Sequence, residues 1–129
     1  MNALTREEFD TLKAGAAAIL GTAGDVLVVA GEAILGIEAY ARCLAAPGRR
    51  ILNIDNGPYG RDMGKLIREC GAEVHEIVRP WNTAVTADEV EEAVRQFRPE
   101  VMTYVYAEAV SGVKTLFMRS RRSRGNTVW

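Results

Sequence analysis

Residues 50–78 read RILNIDNGPYGRDMGKLIRECGAEVHEIV, and their order decides the fold class. Arg50–Asp55 is a short, mostly apolar run of the kind that forms a buried strand. Asn56-Gly57-Pro58 is turn chemistry. From about 59 to 70, Met63, Leu66, Ile67 and Cys70 fall on one side at helical spacing, and Gly71 follows as a C-terminal stop. Glu73–Val78 is a second strand-like run. A strand, a helix and a strand in so short a span form a βαβ unit, which predicts parallel pairing with a right-handed crossover.

The pattern continues in both directions. Upstream, Thr5 and Glu8 make a capping box, and Phe9, Leu12, Ala16 and Leu20 share a face, predicting a helix over about 5–20 that Gly21 and Gly24 end. Asp25–Ala30 is valine-rich and reads as a strand buried on both faces. A helix over about 32–46 follows, ended by Pro47-Gly48. Downstream, Thr86 and Glu89 make a second capping box before an amphipathic stretch that Pro99 closes, and Val101–Tyr106 reads as a fourth strand. The expected class is α/β: alternating helices and strands, a mostly parallel sheet and flanking helices.

The chain has 129 residues, one domain's worth, with 48% hydrophobic and 26% charged residues, as in ordinary globular proteins. The net charge of −1 argues against a wholesale nucleic-acid binder. That average hides a split. All 17 acidic side chains lie within residues 1–113, whereas residues 114–129 hold Lys114, Arg119, Arg121, Arg122 and Arg124 and no acid. The ending KTLFMRSRRSRGNTVW has neither helical nor strand periodicity. It reads either as a basic arm for nucleic acid or a membrane surface, or as the product of a shifted reading frame. No apolar run reaches the roughly 18 residues of a membrane span, and no secretory signal is visible. Cys43 and Cys70 are too few for a disulfide framework and read as buried thiols. A cytoplasmic location is the expectation.

In open parallel sheets, ligands sit beyond the carboxyl ends of the strands. Gly31-Glu-Ala-Ile-Leu-Gly36 opens a helix there and suits a phosphate, or is a tight turn in which Gly36 allows close packing. It is neither a Gly-x-Gly-x-x-Gly fingerprint nor a Walker loop. Tyr59 could stack on a planar ring or pack on a neighbour. Pro80-Trp81-Asn82 reads as a loop anchor. Glu108 and Ser111 are polar contacts or loop solvation. His75, the sole histidine, sits mid-strand and reads as structural or exposed. It shares no ligand spacing with the cysteines, so no metal site is expected. No nucleophile elbow is present.

Three segments, VLVVAGEAILGIEA, PGRRILNIDNGPYGRDMGKLIRECGAEVHEIVRPWNTAVTADEVEEAV and VMTYVYAEAVSGV, together resemble the class V aminotransferases. These are fold-type-I enzymes that use pyridoxal 5′-phosphate, and the likeness points to their alanine–, serine– and ureidoglycine–glyoxylate branch. It covers about residues 5–113 and implies a partial large domain. It implies that backbone amides of Glu32, Ala33 and Ile34 hold the cofactor phosphate and that Tyr59 stacks on the pyridine ring. The loop after the fourth strand resembles the family's His-x-Glu-Ser/Thr-x-Ser/Thr-Gly pattern. Glu108, Ser111 and Gly112 keep it, while Tyr106 replaces the histidine and Ala109 replaces the hydroxyl residue that contacts the cofactor. The resemblance therefore assigns Ser111 to the cofactor site as well.

Transamination in the family also needs an aspartate for the pyridine nitrogen and a lysine that forms the Schiff base. Lys13, Lys65 and Lys114 do not follow the family's lysine motif, and no aspartate follows Glu108. The expectation is a truncated aminotransferase, inactive by itself, whose intact relatives act on an amino acid and a 2-oxo acid. Other readings stay open. The chain could be a non-catalytic module for a phosphate-bearing ligand, could form a homodimer, or could pair with a full-length relative. Nucleic-acid contact would run through the tail and weaken steeply with salt.

Overall fold

A computed structural model describes residues 4–115. The chain divides into two units, one up to Ala33 and one from Ile34 onward.

In the first unit, α1 spans Arg6–Leu20. Its start is the capping box expected from Thr5 and Glu8: the Thr5 side chain accepts from Glu8 N–H, and the Glu8 carboxylate accepts from Thr5 N–H at 2.8 Å. Those bonds to Thr5 hold the Glu8 carboxyl below its ordinary range. Gly21 ends the helix in the left-handed region, at φ 60°, where it costs least. The expected strand over 25–30 is a correction: these residues form no strand. Leu27 is 87% exposed and Val29 68%. A strand requires a hydrogen-bonding neighbour, and the described residues supply none to this run.

The second unit is a three-layer arrangement. Around its sheet lie α2 (Ala33–Leu44), α3 (Pro58–Glu69) and α4 (Ala87–Phe97). The sheet itself contains β1 (Arg50–Asp55), β2 (Glu73–Val78) and β3 (Val101–Thr103), in the order β2-β1-β3. Both pairings are parallel, with Arg50 opposite Glu73 and Ile51 opposite Val101. The βαβ reading of residues 50–78 thus holds. The last strand is shorter than expected, ending at Thr103 rather than Tyr106.

Alternation along β1 feeds two cores. Ile51 packs with Ala41 and Ile67 on the α2 and α3 side, joined by Met63 and Val74. Leu52 and Ile54 pack with Val85, Val90 and Ala93 on the α4 side. Burial on both faces is why β1 reads as a nearly continuous apolar run. Asn53 breaks that run and faces α3. The cysteines depart from expectation: Cys43 is exposed, and Cys70, the residue that caps the end of α3, is half-buried. Gly36 has open space around it, so close packing is not its role.

Candidate functional site

The carboxyl end of β1 is where the second unit concentrates buried polar groups. Asp55, Asn56 and Glu108 are all buried there, Asn56 and Glu108 almost completely. The chain leaves β1 through Asn56-Gly57 and enters α3 at Pro58, whose missing N–H is no loss at a helix start. Gly57 caps the helix without any side-chain hydrogen bond. Tyr59 therefore stands in the first turn of α3 and is 41% exposed.

Residues 106–115 fold back on this turn. Ala107 bridges Lys114 in antiparallel fashion, Glu108 N–H donates to Val113 O at 2.9 Å, and Thr115 N–H donates to Tyr106 O at 2.9 Å. Gly112 closes the loop at φ 71°, donating to Glu108 O. The closed loop is clipped to the strand end by Asn56 Nδ2, which donates to Thr115 Oγ1 at 2.9 Å. Lys114 and Thr115 thus belong to this loop. The rest of the basic ending lies outside the described residues.

Glu108 is the side chain that joins the two segments. A Cβ at Gly57 would collide with its Cγ and Cδ and stand 2.6 Å from its Oε2. Gly57 is extended, so its requirement is space rather than backbone angle. Both Glu108 oxygens, Asn56 Oδ1 and Asp55 Oδ1 are buried with no hydrogen-bond partner among the described residues. Such acceptors are costly to bury, so this end of β1 is a place where donors are wanted. Beside it, Arg61 Nε approaches Asp55 Oδ2 at 3.4 Å while its guanidinium lies 5.1 Å from the Trp81 ring centroid. The loop after β2 is thereby tied to the first turn of α3, as expected of an anchor.

The other sequence-derived candidates are placed as follows. Glu32, Ala33 and Ile34 are exposed at the start of α2, where backbone N–H groups lack intrahelical acceptors. Glu32 and Ala33 belong to the first unit and Ile34 to the second. Ser111 is half-buried, and its Oγ accepts from Val113 N–H at 3.4 Å within its own loop. Glu108 is the side chain that meets the Asn56–Tyr59 turn at Gly57. His75 is exposed, with its ring 5.3 Å from Phe97. Among the described residues no group of His, Cys, Asp or Glu is placed to hold a metal, and no helix is long and apolar enough to cross a membrane.

Sequence reasoning missed Asn53, Thr103 and Thr115. The signal available was a lone asparagine inside an apolar strand, next to a helix with glycines at 60 and 64, one turn apart.

Comparison with known proteins gives a consistent set. No family profile matches the chain. Mouse alanine–glyoxylate aminotransferase is 31% identical over 87 residues, which is 67% of this chain and 21% of the mouse protein. Pyridoxamine–pyruvate transaminase of Mesorhizobium japonicum is 31% identical over 75 residues, 58% of this chain and 19% of that protein. Among solved structures, alanine–glyoxylate aminotransferase from Nostoc sp. superposes with a TM-score of 0.78 at 23% identity, covering 83% of this chain and 29% of that one. The chain thus spans about a fifth to a third of the relatives it matches, and it shares their fold over that part.

Proposed function

We infer that the chain is a fragment of a class V aminotransferase, and we propose that its second unit carries the ring-facing part of that family's pyridoxal 5′-phosphate site. One observation carries the reading. The Asn56–Tyr59 turn and the Glu108 loop, the two segments that resemble the family's cofactor loops, pack together at the carboxyl end of the central strand through Gly57 and Glu108.

The residues present fit such a group. Tyr59 is part-exposed in the first turn of α3 at the carboxyl end of the sheet, where a planar ring can reach it. In this reading Tyr59 stacks on the pyridine ring. The family resemblance assigns the phosphate to backbone N–H groups of Glu32, Ala33 and Ile34 at a helix start. Ser111 contributes to the loop that borders the ring. When bound, the cofactor supplies the electron sink for moving an amino group between an amino acid and a 2-oxo acid. This chain's residues hold and orient it. Lys65 is exposed on α3 and Lys114 exposed beside Ala107, and neither follows the family's lysine motif. We therefore propose that these residues bind without turning over. The exposed apolar run at 25–30 favours a second reading, in which the chain pairs with a full-length relative or with another copy.

Pyridoxine 5′-phosphate, which lacks the aldehyde and so cannot react with surface lysines, separates binding from chemistry. Titrated into the full chain, it should give saturable quenching of intrinsic fluorescence. Tyr59→Ala should weaken binding roughly fivefold to tenfold, the worth of a stacked aromatic, with little change in melting temperature. Unchanged affinity together with lost stability would show that Tyr59 only packs.

A further inference from the structure

The middle of β1 contains a polar network that the cofactor reading leaves unused. Asn53 is fully buried, in the central strand, on the side facing α3. Its Nδ2 donates to Gly60 O in the first turn of α3 at 3.0 Å and to Glu76 Oε1 on β2 at 3.2 Å. Its Oδ1 accepts from Thr103 Oγ1 on β3 at 2.8 Å, and Thr103 is itself buried. Glu76 in turn pairs with Arg68 near the end of α3. One amide thus touches the other two strands and the helix.

The orientation of that amide is forced. A peptide carbonyl and a carboxylate can only accept, so the NH2 must face Gly60 and Glu76, and the Thr103 hydroxyl must donate to the remaining oxygen. The approach is made possible by missing side chains. A Cβ at Gly60 would stand 2.6 Å from Ile54 O, and one at Gly64 would stand 2.6 Å from Asn53 Nδ2. The helix lies close enough to the sheet for a strand side chain to bond a helical carbonyl. That carbonyl belongs to the residue after Tyr59.

We propose that Asn53, oriented by Thr103, is a positioning residue that sets the first turn of α3 and through it the direction of the Tyr59 ring. The inference rests on the assignment of Tyr59 to the cofactor ring, but its test can be read without ligand. The full chain is labelled at tyrosine rings, and the Tyr59 resonance is assigned from its loss in Tyr59→Phe. Thr103→Val keeps shape and burial but leaves Asn53 Oδ1 without its donor. It should shift the Tyr59 ring resonance and weaken pyridoxine 5′-phosphate roughly threefold to tenfold, the range of one hydrogen bond. Thr103→Ser, which restores the hydroxyl, should return both. Val90→Ala loosens the core on the α4 face of the sheet, away from the Asn53 network, and should leave the ring where it was. An unmoved ring in Thr103→Val overturns the proposal, and so does an equal shift in Val90→Ala, which would mark general loosening. Failure of the unsubstituted chain to bind the probe overturns the cofactor reading instead, and the ring signal still decides the role of Asn53.

Discussion

At the scale of single residues, the carboxyl end of β1 depends on one absent side chain. Gly57 adopts backbone angles that other residues can reach, yet a methyl group there would occupy the space of Glu108. Gly57→Ala should therefore destabilise the chain by about 1–3 kcal/mol, the usual cost of overpacking, as a lower midpoint in urea. The loss should shrink in the background of Glu108→Ala, because the two positions compete for one volume. Additive losses in that double-mutant cycle would show that the two side chains do not share the space. The sequence carried a hint of Gly57 as a turn residue. It carried no hint of what the turn presses against, because Glu108 is distant along the chain.

Among the elements, the helices are the most legible in the sequence. Both capping boxes, at Thr5 with Glu8 and at Thr86 with Glu89, form as expected, since every group involved lies within three residues. Thr86→Ala should cost about 1 kcal/mol, seen as a lower melting temperature and faster amide exchange in the first turn of α4. Exchange there at the unsubstituted rate would mean that the cap contributes nothing to α4. Strands are less legible. Arg50–Asp55 and Glu73–Val78 form because each finds a parallel neighbour in register. Asp25–Ala30 is at least as apolar and valine-rich, but it finds none among the described residues. Hydrophobic pattern proposes a strand, and only a partner's N–H and C=O groups make one.

For the molecule as a whole, that unpaired run should matter to association. Leu27 and Val29 present apolar surface and open backbone groups to water, a combination that promotes edge-to-edge pairing. Replacing both with lysine should shift sedimentation towards monomer at equal concentration, with the melting temperature nearly unchanged, as for most surface substitutions. An unaltered distribution would show that this run takes no part in self-association.

The amino-acid sequence by itself determined the α/β class, the βαβ unit at 50–78, the positions of four helices and the family resemblance. Each of these rests on local signals: caps, turn residues, apolar period and short motifs. Tertiary structure decided the rest. It showed which apolar run lacks a strand partner among the described residues, that Glu108 packs against the turn at Gly57, and that Asn53 bonds Gly60, Glu76 and Thr103 at once. Those outcomes depend on groups far apart in the chain competing for one volume or sharing one donor, and no periodicity along a single strand or helix encodes them.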